Sequence, residues 1–139
     1  MSFGRRFGID FGETRIGIAV CDPDGLVSLP LTTLKNDETF LAEFKKLQDE
    51  YQVNGIFIGK PMNLSGSEGN LQSKISDFGA SLSLNFGLPI FWVDERLTSN
   101  SASSALREAG LNNKASKGLI DQLAAVAILE LGIALEKNA

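Results

Sequence analysis

"GIDFGETRIGIAV", Gly8 to Val20, sets a carboxylate in the middle of an apolar strand and flanks it with glycines. Strand alternation puts Phe7, Ile9 and Phe11 on one face and Gly8, Asp10 and Gly12 on the other. One face is bulky and apolar. The other is bare backbone around a single acid. Burying an unpaired carboxylate is very costly, so the rest of the chain must supply Asp10 with a partner. The glycines leave room for something that comes close to the backbone. On this reading the visitor is metal and phosphate.

The segments outside this stretch give a frame for it. "RRFGID" to Phe11 reads as a strand, and "RIGIAVCD" as a second that stops at the turn signal "DPDG", residues 22–25. "LVSLPLTTL" is a third, with Pro30 marking an edge position. "DETFLAEFKKLQDEY" carries Phe40, Leu41, Phe44 and Leu47 at helical spacing. "GIFIG" is a short buried strand. Leu71, Ile75, Phe78 and Leu82 then form a helical stripe, "LPIFWVD" is a strand with Trp92 as core, and "SNSASSALREAG" is a short helix ending at Gly110. "SKGLIDQLAAVAILELGIALEKN" closes the chain as a long helix. The order β-β-β-α-β-α-β-α-α predicts an α/β domain. Its mixed five-stranded sheet has three antiparallel strands, then parallel strands, with helices on both faces.

Composition narrows the chemistry. The chain has 139 residues, 43% apolar and 22% charged, a composition ordinary for one soluble domain. The N-terminus has no apolar signal core, and no apolar run approaches ~20 residues. A cytoplasmic protein is expected. The single cysteine, Cys21, permits no internal disulfide and reads as a small buried hydrophobe. There is no histidine, which removes histidine bases, triads and metal ligands. Any metal must be held by oxygen, and that selects hard ions such as Mg²⁺ or Mn²⁺. The net charge of −4 argues mildly against nucleic acid as a partner, although Lys60, Arg96, Arg107, Lys114 and Lys117 leave room for a local basic patch.

Sites in open α/β sheets form beyond the carboxyl ends of parallel strands. Asp94 and Glu95 stand at the end of "PIFWVDER", and Asp10 near the end of the first strand. Asp121, in "GLIDQLAAVAIL", is followed on its own helix face by Ala124, Ala125 and Ile128. A carboxylate over small residues suits a helix packed close on a sheet. Carboxylates that converge repel one another unless cations neutralise them. Two divalent ions would do so, and would also activate water for phosphodiester hydrolysis. Divalent metal is therefore the partner expected for Asp10. The loop "GKPMNLSGSEG" and Lys60 could hold a phosphate at a helix N-terminus, while Thr98 and Ser99 are placed to cap the following helix or touch phosphates.

Four motifs, "GIDFGETRIGIAV", "GIFIGKPMNLSGSEG", "VDERLTS" and "KGLIDQLAAVAIL", in this order and spacing, resemble the YqgF family over nearly the whole chain. These are Holliday-junction-resolvase-like proteins described as nucleases of pre-16S ribosomal RNA. The resemblance implies one RNase H-like nuclease domain over residues 1–139, metal-dependent cleavage and a role in maturing the 5′ end of 16S rRNA. It also implies that Asp10, Glu95 and Asp121 are the catalytic and metal-binding acids, with Asp94 the alternate to Glu95, and that Arg15 and Arg96 are motif arginines. Lys60 departs from the family pattern. Substrate contacts are expected from Arg15, Lys60, Arg96, Thr98, Lys114 and Lys117. The first strand also resembles the phosphate loop of the actin, sugar-kinase and Hsp70 ATPases, so a nucleotide-driven kinase or switch is a rival reading, beside a Holliday junction resolvase and a non-catalytic module for RNA or ribosome precursors. With 13 Lys and Arg against 17 acids, the chain is expected to cut single-stranded RNA as a monomer or weak dimer.

Overall fold

The computed structural model describes residues 3–61, 68–98 and 114–139. The helix expected over residues 99–110, and most of the loop from Gly59 to Gly69, lie outside the described residues. Three strands open the chain: β1 (Arg6–Phe11), β2 (Arg15–Cys21) and β3 (Ser28–Lys35). Helix α1 (Phe40–Tyr51) leads to β4 (Gly55–Lys60), and α2 (Glu68–Phe86) to β5 (Ile90–Asp94). A short 3₁₀ turn (Glu95–Leu97) follows β5, and α3 (Lys114–Lys137) ends the fold.

The strands form one sheet in the order β3-β2-β1-β4-β5. β1 pairs antiparallel with β2, and β2 with β3. β4 lies parallel to both β1 and β5. This is the mixed sheet expected from the sequence. β3 is an edge strand, as Pro30 implies, and its register with β2 slips between Ile18 and Ala19. The apolar faces of α1 and α2 cover one side of the sheet, where Phe44, Ile75 and Leu82 pack on Phe7, Ile9 and Ile58. α3 covers the other, with Ala125, Ile128 and Leu129 against Ala19, Phe57 and Val93. Of the apolar α1 residues, Phe40 and Phe44 are buried but Leu41 is exposed.

The glycines explain how α3 comes so close. A Cβ on Gly8 would lie 2.5 Å from Leu129 Cβ and 2.6 Å from the Ala125 carbonyl oxygen. One on Gly17 would lie 2.2 Å from the Asp121 carbonyl oxygen. The bare face at Gly8 and Gly17 is therefore a seat for a helix, which corrects the reading of Gly8 as space for metal and phosphate; Gly12, the other glycine of that reading, lies against the Arg15 carbonyl of the β1–β2 turn. α3 also corrects the expectation about apolar runs. Lys117–Lys137 is long and apolar enough to cross a membrane by length and composition, with mean hydropathy 1.8. It contacts all five strands instead, as the core helix of this sheet. Its far end is tied down by Arg6, which donates to Glu136 at 2.9 Å, and by Lys137, which donates to the carbonyls of Asp24 and Gly25.

Two single residues complete the comparison with the sequence. Cys21 is buried, as expected, and its sulfur accepts a hydrogen bond from the Arg6 backbone. Trp92 is not core: it is 40% exposed, because β5 is the other sheet edge. Its ring lies against Gly79 of α2, with the Lys60 ammonium 4.9 Å from the ring centre.

The seat gives a stability test. Gly8→Ala forces a methyl group into the α3 backbone and is expected to cost about 1–3 kcal/mol, the usual range for overpacking. Urea unfolding followed by circular dichroism measures it. An unchanged midpoint would mean that α3 lifts off the sheet without cost.

Candidate active site

The ladder places the acids in one row. Asp10 alternates with Gly8 and so projects to the α3 face. Directly opposite Asp10 on β2 stands Gly17. The bare Gly17 position is filled by Asp121, whose Cβ lies 2.9 Å from where a Gly17 Cβ would be. On the other side, Ile9 pairs with Ile58, so the next residue of β4, Gly59, lies beside Asp10. Gly59 is covered in turn by Glu95, whose Oε1 lies 2.6 Å from the position of a Gly59 Cβ. Asp121, Asp10 and Glu95 thus follow one another across β2, β1 and β4, each outer acid resting on a glycine.

The two outer acids are held differently. Asp121 Oδ2 accepts a hydrogen bond from Arg15 Nε at 2.7 Å, and this ion pair raises the pKa of the guanidinium. Glu95 starts the 3₁₀ turn, and its carbonyl accepts both the Thr98 hydroxyl, at 2.7 Å, and the Thr98 backbone N–H. Burial, and then the neighbouring Asp94 charge, push its carboxyl above the ordinary range. Asp94 is engaged elsewhere. Its carboxylate caps the backbone N–H of Arg96 and accepts from the Arg96 guanidinium at 2.8 Å. Those bonds hold its pKa low, the side-chain bond most of all. Strand alternation also puts Asp94 on the Trp92 face, away from the row. Of the two neighbouring acids, Glu95 is the one that reaches the row.

The remaining candidates divide by face. Lys60 shares the Trp92 face with Asp94 and is not in the row. Thr98 donates its hydroxyl to the Glu95 carbonyl and so supports an acid; the helix it was expected to cap lies outside the described residues. Arg96 is exposed and tied to Asp94, and Lys117 is exposed near the start of α3. The side chain of Lys114, like Ser99 and Arg107, lies outside what is described. Sequence reasoning missed the polar pins of this corner. Thr33 Oγ1 donates to the Gly118 carbonyl at 2.7 Å, Gln122 donates to Thr33, and Asn36 donates to the Gly12 carbonyl. No motif marks them, since each is defined by a partner distant in sequence.

Among the described residues, no group of three acidic, histidine or cysteine side chains stands ready as an ion cage. The donor chemistry of the row nonetheless fits a hard divalent cation. All its donors are carboxylate oxygens, and one of them is a half-buried acid that lacks a cation within salt-bridge distance among the described residues. Closing the row around an ion requires Asp121 to share its oxygens between Arg15 and the ion.

A family model described as "RuvX: Holliday junction resolvase" matches residues 4–134. The chain belongs to that family. A Streptomyces coelicolor relative named "Putative pre-16S rRNA nuclease" is 36% identical over 140 residues, covering 99% of this chain and 84% of the relative. A Neisseria meningitidis relative of the same name is 42% identical over 129 residues, 91% of this chain and 85% of the relative. Among solved structures, "T. thermophilus RuvC in complex with Holliday junction substrate" aligns over 97% of this chain and 96% of its own, at a TM-score of 0.61 and 13% identity. That likeness establishes the RNase H-like fold of the resolvases.

The state of Glu95 can be checked without substrate. Its folded pKa is raised, so the folded protein keeps the proton to higher pH than the unfolded chain. The associated stability is present below the ordinary value of 4.5 and is lost as pH rises through the raised value. In chelator, Glu95→Gln should therefore raise the melting temperature at pH 7.5 and lose that advantage at pH 4. An equal shift at both pH values would place the cause outside the carboxylate charge.

Proposed function

We propose that this chain is a metal-dependent nuclease that matures the 5′ end of pre-16S ribosomal RNA. The row of Asp121, Asp10 and Glu95 across three adjacent strands is the single observation that carries the site. Family membership supplies the reaction class: the chain is a hydrolase of phosphodiester bonds. The substrate comes from the name of its relatives, 36–42% identical over almost all of this chain.

The acids of the row would hold Mg²⁺ or Mn²⁺. Divalent ions bound there would supply an activated water and charge stabilisation for the leaving oxygen. Asp10 is the middle donor, fixed by the β1–β2 and β1–β4 ladders. Glu95 and Asp121 are the outer donors, each set by the glycine beneath it. Arg15 orients Asp121 through Nε and keeps its terminal N–H groups for a phosphate oxygen. Lys114 and Lys117, early in α3, are proposed to meet the strand on the Asp121 side. Lys60, Arg96 and Thr98 are proposed to meet it only where it crosses the β5 edge. Junction resolution is the less favoured reading. Paired, symmetric cuts call for a two-fold dimer, and an acidic chain is poorly suited to gripping four duplex arms. We therefore assign a cytoplasmic monomer or weak dimer acting on single-stranded RNA.

Incubation with 5′-extended pre-16S RNA in Mg²⁺, Mn²⁺ or EDTA tests this. Cleavage is expected with either ion and none in EDTA, with far-ultraviolet circular dichroism unchanged. Full activity in EDTA, or symmetric cutting of a four-way junction with the RNA untouched, would overturn it. Asp10→Asn and Asp121→Asn should each lower cleavage on the order of a hundredfold or more, as loss of a group that stabilises transition-state charge does. Asp94→Asn should cost far less than Glu95→Gln. The reverse ranking would transfer the ligand role to Asp94.

A further inference from the structure

Beside the acid row the molecule has a cavity of about 600 Å³, within the size range of small-molecule sites. The β1–β2 turn, the end of β3 and Gly118 of α3 line it, and it opens to solvent. Two cations stand at its wall, Arg15 and Lys35, and they are direct cross-strand partners in the β2–β3 ladder. Their side chains therefore leave the same face. Like charges so placed are destabilising. The pairing is not forced by the strands as such. Without the bulge between Ile18 and Ala19, the register of Ala19 with Pro30 would continue and bring Leu34 opposite Arg15. The bulge turns Lys35 to that position.

Asp121 neutralises only Arg15. Lys35 is exposed and has no ion pair among the described residues. The two acids at the cavity wall have partners of their own, although the Asp37 charge also acts on Lys35 from beyond ion-pair distance. Glu13 pairs with Lys74 at 3.2 Å, and Asp37 accepts from the backbone N–H and hydroxyl of Thr39. The walls are also fixed: Thr33 pins Gly118, and Asn36 pins both Gly12 and Thr14. A cavity with two cations side by side, Arg15 held in an ion pair and Lys35 exposed without one, is arranged for an anion.

We propose that this cavity seats one nucleotide of the RNA strand next to the scissile bond, its phosphate between Lys35 and the terminal nitrogens of Arg15. The site rests on the nuclease reading for its place in the reaction, since Arg15 joins it to Asp121. Its chemistry needs only a phosphodiester-linked nucleotide. Lys35 is a binding residue that touches neither the row nor the reacting atoms.

The test uses a fluorescent single-stranded RNA 12-mer and the full chain, with binding followed by anisotropy in EDTA across a KCl series. Lys35→Gln should weaken binding several-fold at 0.1 M salt and reduce the slope of log affinity against log salt by about 0.7, one phosphate contact on a single strand. Thr14→Trp fills the exposed rim of the cavity without changing charge, and should weaken binding with the slope unchanged. Lys45→Glu, on the outer side of α1, should do neither. In steady-state cleavage, Lys35→Gln should raise KM and leave kcat intact. Wild-type binding, slope and KM in both cavity variants would overturn the site and leave the nuclease reading standing. A slope change in a protein that cleaves nothing in any divalent ion would do the reverse. Displacement of the 12-mer by equimolar AMP would overturn the strand subsite in favour of a free-nucleotide site.

Discussion

The close approach of α3 to a sheet face stripped of side chains is the constraint on which the rest of this structure depends. Gly8 and Gly17 let the helix backbone come within contact of β1 and β2. Gly132 does the same from the helix side, where Phe57 fills the space a Cβ would need. The helix gains a dry interface from Ala125, Ile128 and Leu129. What the fold gains is placement. Only a helix this close can deliver Asp121 to the Gly17 position beside Asp10. Leaving glycine inside a strand costs roughly 0.5–1 kcal/mol relative to alanine. Here it is the geometric condition for the acid row.

The same constraint carries an electrostatic cost. Carboxylates gathered across neighbouring strands repel one another, and the chain deals with those near the row in different ways. Arg15 draws Asp121 toward β2. Arg96 removes Asp94 from competition by closing on it from two residues away, which leaves Glu95 as the acid that turns toward the row. Thr98 fixes the Glu95 backbone. Glu95 itself is left with burial and a like-charged neighbour, and so with a raised pKa. An acid row so maintained favours a cation, which would lower the repulsion that folding leaves in place.

Much of this was legible in the sequence, and the limits have physical causes. The period-two pattern of β1 gave the right faces, because one side had to be buried and the other could not be. Asp121 was readable from the small residues that follow it on its helix face. The glycine pattern announced a close approach, but a local pattern cannot say what approaches; the visitor was a helix of the same chain. Trp92 was misread for a related reason, since strand composition does not tell an edge from a centre. The faces of Gly59 and Lys60 were available from alternation alone. Lys60 could have been assigned to the side opposite Asp10 once β4 was placed beside β1.

The β2–β3 bulge was the least legible feature, and it decides the character of the site's flank. A bulge adds one residue to one strand and so exchanges the faces of everything beyond it. Beyond Ile18 it replaces Leu34 with Lys35 opposite Arg15. An uninterrupted ladder would have set an apolar side chain beside the Arg15–Asp121 pair. The result would have been a better-packed edge and a corner with one cation fewer. The chain as a whole is acidic, with a net charge of −4, so its attraction for a polyanion has to be made locally. At the cavity it is made by register, with the positive charge of Lys35 brought opposite Arg15, the partner of Asp121.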